Sequence, residues 1–203
     1  MKSAKPENWL QGYLEDQLIG QLLEKVDGEL AERVRQGGCL YCSCGTLHRS
    51  NYRRLPRGVT KEERQRCDEV YRDSFCCDQE GCRKRHTPPS VRFLGRKVYW
   101  APVVVLVSAV RHGLTGQRLR TLSESLGLDR RTLERWREWW LGVFAQSPFW
   151  KAARARFASS IDPETLPKSL CEAFEVGRRD RLLALLKFLS PITTGSIPLE
   201  RSS

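Results

Sequence analysis

Seven of the eight cysteines in this chain fall between Cys39 and Cys82, six of them in two runs that read CLYCSCGTLH and FCCDQEGCRKRH. Each run contains a short cysteine hairpin, Cys39-x2-Cys42 and Cys77-x4-Cys82, with 34 residues between the two. Such a hairpin presents two thiolates to one ion, and four soft ligands at tetrahedral positions suit Zn2+. A closed four-thiolate site is structural, because no coordination position is left for a substrate. The spacing is that of a zinc ribbon, with Cys39, Cys42, Cys77 and Cys82 as the expected ligands. Cys44 and Cys76 adjoin these four, and His48 or His86 could replace a thiol in a Cys3His set, so these alternatives stay open. Gly45 and Gly81 give the backbone freedom to turn its amides toward a sulfur. Cys67, in a charged insert, and Cys171, on an apolar helix face, read as ordinary thiols.

The remaining uses of cysteine fit less well. The N-terminal stretch MKSAKPENWLQGYLEDQ has no apolar core behind its basic residues, and no segment approaches the roughly 18 apolar residues of a membrane span. A cytoplasmic, nucleoid-associated protein with no membrane partner is expected. In a reducing compartment clustered thiols serve metals more often than disulfides, and a chain of 203 residues does not need staples to fold. A redox CxxC would call for thioredoxin-like alternation of strands and helices, which the sequence does not show.

Charge points to a polyanionic partner. Lys and Arg total 35 against 24 Asp and Glu, for a net charge of +11. Arginine dominates the basic runs, and its planar fork matches phosphate oxygens and base edges. Arg83, Lys84 and Arg85, followed by Arg92, Arg96 and Lys97, form a block without an acid after the last clustered cysteine. The partner expected from this balance is double-stranded DNA.

The elements that must carry these groups are mostly helical. Leu10, Leu14, Leu18, Leu22 and Val26, with Tyr13, Ile19, Leu23, Leu30 and Val34 beside them, recur at helical steps, and Asp27-Gly28 marks a candidate break. This amphipathic segment packs on its own chain or supports a homodimer. Short strands are expected in LHRSNYRRL, EVYRDSFC and RHTPPSVRF around the cysteine hairpins. APVVVLVSAVRHG reads as a buried helix. In RLRTLSESLGLDRRTLERWREWW, Leu119, Leu122, Leu126 and Leu128 precede Leu133 and Trp136 across Gly127, and Asp129 is placed to cap the second helix. That is a helix-turn-helix pattern. With Leu133, Trp136 and Trp140 turned to the core, Arg130, Arg131, Glu134 and Arg135 are left on the face that would enter a major groove. Ser147-Pro148 starts another helix, with Lys151 and Arg154 as further phosphate contacts. DPETLPKSLCEAF and RRDRLLALLKFL read as two supporting helices, and SPITTGSIPLERSS as a frayed tail.

The order of cysteine hairpins, then RKRHTPPSVRFLGRKVYW, LGLDRRTLERWREWW and SPFWKAARARF, resembles the small zinc-ribbon and helix-turn-helix proteins encoded with bacterial transposable elements. The resemblance covers roughly residues 39 to 157 and extends to the N-terminal DNA-binding parts of transposases. It implies DNA binding beside a separate catalytic transposase, with an accessory or regulatory role for this chain. The extra cysteine before GTLHR departs from the pattern of that family.

The fold class expected is mainly α with a small β zinc ribbon. It divides into an N-terminal helical segment (1–36), the ribbon (37–96), a helix-turn-helix unit (97–160) and C-terminal helices with a tail (161–203). No phosphate-binding glycine loop, HExxH or nucleophile-base pair is present, so no catalytic residue is assigned and no enzyme is expected. A regulator of a non-mobile promoter would use the same parts. A protein-interaction adaptor would use the ribbon and the first helix, with the basic surface incidental.

Overall fold

The periodic leucine and valine residues of the N-terminal segment form one helix. In the computed structural model, which describes residues 17–54, 70–94, 99–110, 116–157, 160–174 and 178–194, helix α1 runs unbroken over Gln17–Gln36. The expected break at Asp27-Gly28 is absent, and the reason is tertiary. Asp27 is buried, and its carboxylate accepts from Ser90 Oγ (2.6 Å), the Val91 backbone N–H (2.7 Å) and Arg92 Nε (2.8 Å). A buried carboxylate with this many donors is satisfied, so a residue that favours turns in isolation is held mid-helix. Leu10, Tyr13 and Leu14 of the expected stripe lie outside the described residues, as do Cys67, Arg96 and Lys97.

The strands are short, and they cluster where the sequence has alternating Tyr, Phe and Val. They are β1 (Leu47–Arg49), β2 (Tyr52–Arg53), β3 (Tyr71–Arg72), β4 (Phe75–Cys77), β5 (Arg85–His86), β6 (Phe93–Leu94) and β7 (Tyr99–Trp100). A three-stranded antiparallel sheet has the order β1-β4-β5, with Leu47 opposite Cys77, His48 opposite Cys76 and Cys76 opposite Arg85. The pairs β2-β3 and β6-β7 are separate antiparallel ribbons.

Helices make up the rest. Helix α2 (Ala101–Val110) buries Val103, Val104, Val105 and Val107, and an apolar run of this kind belongs in the middle of a core. Helices α3 (Gly116–Ser125) and α4 (Arg130–Glu138) follow. A π-helical turn, Trp139–Phe144, continues α4 without a break. Ser147 caps α5 (Pro148–Ala153), its hydroxyl accepting from the Trp150 N–H at 3.1 Å. The segment expected as one helix over DPETLPKSLCEAF is two pieces, a 3-10 turn at Pro163–Thr165 and helix α6 (Lys168–Glu172). Pro167 lies between them, lacks an N–H and clashes with a continuing helix, which accounts for the split. Helix α7 (Arg178–Leu189) runs directly into a 3-10 turn, Ser190–Thr193. Ser190 and Thr193 are buried, and Thr193 Oγ1 accepts from the Ser90 N–H at 2.8 Å. The first residues of the expected tail are therefore anchored, while 195–203 lie outside the described residues.

Two cores result. The larger joins Leu23 and Val26 of α1 to Val91, the valines of α2, Leu126, Leu133, Trp136, Trp140, Phe144, Trp150 and the leucines of α7. The smaller consists of Ala31, Cys39, Leu47, Phe75 and Cys77, with Val34 packed against it. Both draw on α1, so this helix sets the cysteine-bearing sheet against the helical body. The structure is mostly helical with a small antiparallel sheet beside a cysteine cluster. No helix among the described residues is long and apolar enough to cross a membrane.

Candidate metal centre and basic surfaces

Cys39 follows the end of α1, where Gly37 and Gly38 carry the chain away and Gly38 takes a φ of 71°. The next turn closes by the Ser43 N–H donating to Cys39 O at 2.9 Å and the Cys39 N–H donating to Gly45 O at 3.3 Å. The second hairpin closes in a related way, with the Cys77 N–H on Lys84 O at 3.0 Å and the Cys82 N–H on Gln79 O at 3.1 Å. In both, the residue after the second cysteine is left-handed: Ser43 has φ 57° and Arg83 has φ 44°. This turns the following amide back toward the sulfur. The Cys44 and Gly45 N–H groups donate to Cys42 Sγ, the Gln79 N–H to Cys77 Sγ and the Lys84 N–H to Cys82 Sγ.

The two hairpins bring four sulfurs together. Those of Cys39, Cys42, Cys77 and Cys82 all lie within 4.8 Å of one another. Cys39–Cys82 and Cys42–Cys77 are each 3.6 Å apart. Ligands about 2.3 Å from a tetrahedral zinc would be about 3.8 Å from each other, so the cluster has the size of a metal site. These four cysteines could hold a metal ion. The sulfur separations are those of packed thiols, and all seven cysteines among the described residues are free.

Neighbouring groups bear on the alternatives. Cys76 is on β4 beside Cys77, and strand alternation sends it to the opposite face, in register with His48 and Arg85. His48 is exposed, its Nε2 3.2 Å from Asp78 Oδ2. Asp78 also accepts the Thr46 N–H at 2.8 Å. Cys44 is exposed. His86 is buried with its Nε2 3.3 Å from Cys39 Sγ, placed to donate to that sulfur from outside the group of four. A partner of this kind orients a ligand and spreads its charge. Burial holds the His86 pKa below the usual histidine value.

The thiols are not equivalent. The Cys44 N–H, donating to its sulfur, does most to draw Cys42 down to about 6. Burial pushes Cys77 up to about 12. For Cys82 the Lys84 N–H acts downward, and burial with the Cys39 sulfur outweighs it, leaving the thiol raised. Four thiolates around a dication would carry a net charge of about −2, which the inward amides would offset in part.

Gly45 has a role that spacing alone did not show. A Cβ built there would fall on Cys77 Sγ and lie 3.2 Å from Cys42 Sγ. The requirement is steric, since the glycine sits between sulfurs of the two hairpins. Gly81 differs, with open space around it and a φ of 83°.

The expected DNA-contacting residues fall on two surfaces. Arg130, Arg131 and Arg135 are exposed on α4, while Leu133 and Trp136 on the same helix are buried. The turn before α4 has Gly127 at φ 59°, and the Asp129 carboxylate accepts the Thr132 N–H at 2.6 Å. That bond holds the Asp129 carboxyl below its ordinary pKa. Arg130 Nε is 2.8 Å from Glu134 Oε1, and Arg135 bonds Thr132 Oγ1 at 2.9 Å. Lys151 and Arg154 are exposed in and just after α5. Arg83 and Lys84 are exposed just before β5 and Arg85 on it, Arg85 donating to Ser50 O and Ser74 Oγ, both at 3.0 Å. Arg92, from the same acid-free block, is instead buried on Asp27. No protein-family model, characterised protein or solved structure was found to match the chain.

Proposed function

We propose that the chain is a zinc-stabilised DNA-binding protein, with α3 and α4 forming a helix-turn-helix that docks on duplex DNA. The observation that carries this reading is the division of α4. Leu133 and Trp136 are fixed in the core, and Arg130, Arg131 and Arg135 stand exposed on a helix whose N-terminus is capped by Asp129. Guanidinium groups in the first two turns of such a helix can reach guanine edges or phosphates. Glu134 is held by Arg130, so accepting from a cytosine would require that pair to open. Lys151 and Arg154 are assigned to the phosphate backbone, and so are Arg83, Lys84 and Arg85.

Zinc is the ion assigned to Cys39, Cys42, Cys77 and Cys82, because an all-sulfur set of this size is its preferred structural environment. It would stabilise the fold and supply no catalytic chemistry. The accessory role in a mobile element, beside a separate transposase, rests on the resemblance of residues 39 to 157 to proteins of that kind.

The test is retention on random 20-bp duplex DNA and a footprint on DNA flanking the gene. Affinity should fall by roughly two to four orders of magnitude between about 50 and 200 mM salt, as several phosphate contacts release counterions. Arg131→Ala should weaken the footprinted site about 5- to 150-fold and relax preference at one base pair, while Lys84→Ala weakens all duplexes alike. Binding that is flat in salt, or absent at 50 mM, would sink the proposal.

A further inference from the structure

The sheet beside the cysteine cluster and the β2-β3 ribbon that follows β1 carry aromatic side chains that duplex binding leaves unused. Arg49, Arg53, Arg54, Arg83, Lys84 and Arg85 are all exposed. Of the nearby acids, Asp78 is engaged by His48 and the Thr46 N–H and Asp73 by Asn51 Nδ2 at 3.2 Å, while Glu80 is exposed in the second hairpin. Among these cations stand two tyrosines. Arg54 lies 4.6 Å and Arg85 5.7 Å from the centre of the Tyr52 ring, and Lys84 Nζ lies 6.0 Å from that of Tyr41. Lys84 and Arg85 are consecutive and alternate in direction, Arg85 on the Cys76 side with Tyr52, and Tyr41 beside His86 on the other, so the two aromatic-cation pairs flank edge strand β5. The tip of the first hairpin adds apolar surface, with Leu40 67% and Tyr41 55% exposed.

We infer that this edge binds single-stranded nucleic acid, stacking unpaired bases on Tyr41 and Tyr52 while the flanking cations track the phosphates. The combination of a cationic track with accessible rings distinguishes a single-strand site from a duplex site. Phosphates of a duplex would face Leu40 and Tyr41 without an apolar contact to offer, since its bases are stacked inside. Unpaired bases expose both ring faces and can use the exposed Tyr41 ring and the half-buried Tyr52 ring. Stacking of this kind tolerates any sequence, and the short strands offer no element long enough to read a groove. This goes beyond the helix-turn-helix reading: Tyr41, Tyr52, Arg49, Arg53 and Arg54 have no part in it, while Arg83, Lys84 and Arg85 would meet phosphates in either mode.

The test measures anisotropy of labelled dT20, U20 and a 20-bp duplex with the full chain at about 50 mM salt. Wild type should bind dT20 or U20, the two arms showing whether the sugar matters. Tyr41→Ala and Tyr52→Ala should each lose about fivefold or more on single strands and less than twofold on the duplex, with Tyr→Phe variants close to wild type. Arg131→Ala should leave dT20 binding unchanged. Photocrosslinking of dT20 to wild type supplies a readout that needs no variant to fold, and should label residues 40–54 and 83–86. Failure of wild type to bind either single strand, an acidic protein partner then being the remaining occupant, overturns the inference. So do crosslinks confined to α4, or Ala variants of unchanged thermal stability that bind as wild type. Single-strand binding without duplex binding would leave this site standing and remove the helix-turn-helix reading.

Discussion

At the scale of single residues, the two glycines of the cysteine region separate steric from torsional demand. Gly45→Ala places a methyl group on the Cys77 sulfur, so the hairpins must part and the four sulfurs can no longer share an ion. Gly81→Ala meets no neighbour and costs only the left-handed conformation, about 1–2 kcal/mol. Zinc titration against a chromophoric chelator should therefore show Gly45→Ala losing stoichiometric binding, as Cys77→Ser does, while Gly81→Ala keeps it. Retention of wild-type zinc affinity by Gly45→Ala would falsify the packing described. Ser43 tests the same geometry from the other side. Its φ of 57° is one that glycine adopts freely, so Ser43→Gly should leave zinc affinity intact and thermal stability equal or higher.

At the scale of elements, the buried Asp27 decides how α1 meets the rest of the chain. Removing one partner of a buried ion pair leaves the other charge without compensation, so Asp27→Ala should cost about 3–5 kcal/mol in urea unfolding. Glu24 also approaches Arg92, at 3.4 Å, but its side chain is 71% exposed, and Glu24→Ala should change stability by less than about 1 kcal/mol. Equal losses from the two variants would mean that the buried network does not hold the helix. Asp27 also shows where sequence reading stops. Asp-Gly is a local turn signal, and the groups that override it, Ser90, Val91 and Arg92, lie 63 to 65 residues away. Long separation in sequence also hid the structural use of Arg92, 65 residues from Asp27, and the anchoring of Thr193 by Ser90, 103 residues apart. Local rules served well where the cause is local: the Ser147 and Asp129 caps, the valine-rich α2, and the cysteine hairpins, whose spacing is itself the geometry. Cys77 rather than Cys76 reaches the cluster because of strand register, which depends on the pairing of β1 with β4. The π-helical turn at Trp139–Phe144 has no distinguishing signal in a run that is helical on either side.

At the scale of the whole molecule, the two cores should respond differently to loss of metal. The smaller has five buried members, two of them the thiols Cys39 and Cys77, and so little apolar surface cannot hold a sheet of two- and three-residue strands without a cross-link. The larger contains Trp136, Trp140, Phe144, Trp150 and the leucines of α7, with no cysteine of the cluster among them. Strong chelation should thus melt the sheet and leave the helical body folded, α1 remaining attached through Leu23, Val26 and Asp27. The chain supplies the probes for this. None of its six tryptophans lies between residues 37 and 94, whereas Tyr41, Tyr52 and Tyr71 do. On chelation at neutral pH, amide exchange over 39–54 and 70–86 should rise sharply while tryptophan emission stays native until urea is added. Zinc should restore protection, and acidification should mimic the chelator, because thiolates must take up protons to release the ion. A tryptophan shift that tracks zinc loss would show instead that α1 transmits the collapse and that the chain folds as one cooperative unit. Unchanged exchange in the sheet after zinc loss would mean that packing alone holds the cysteine hairpins together.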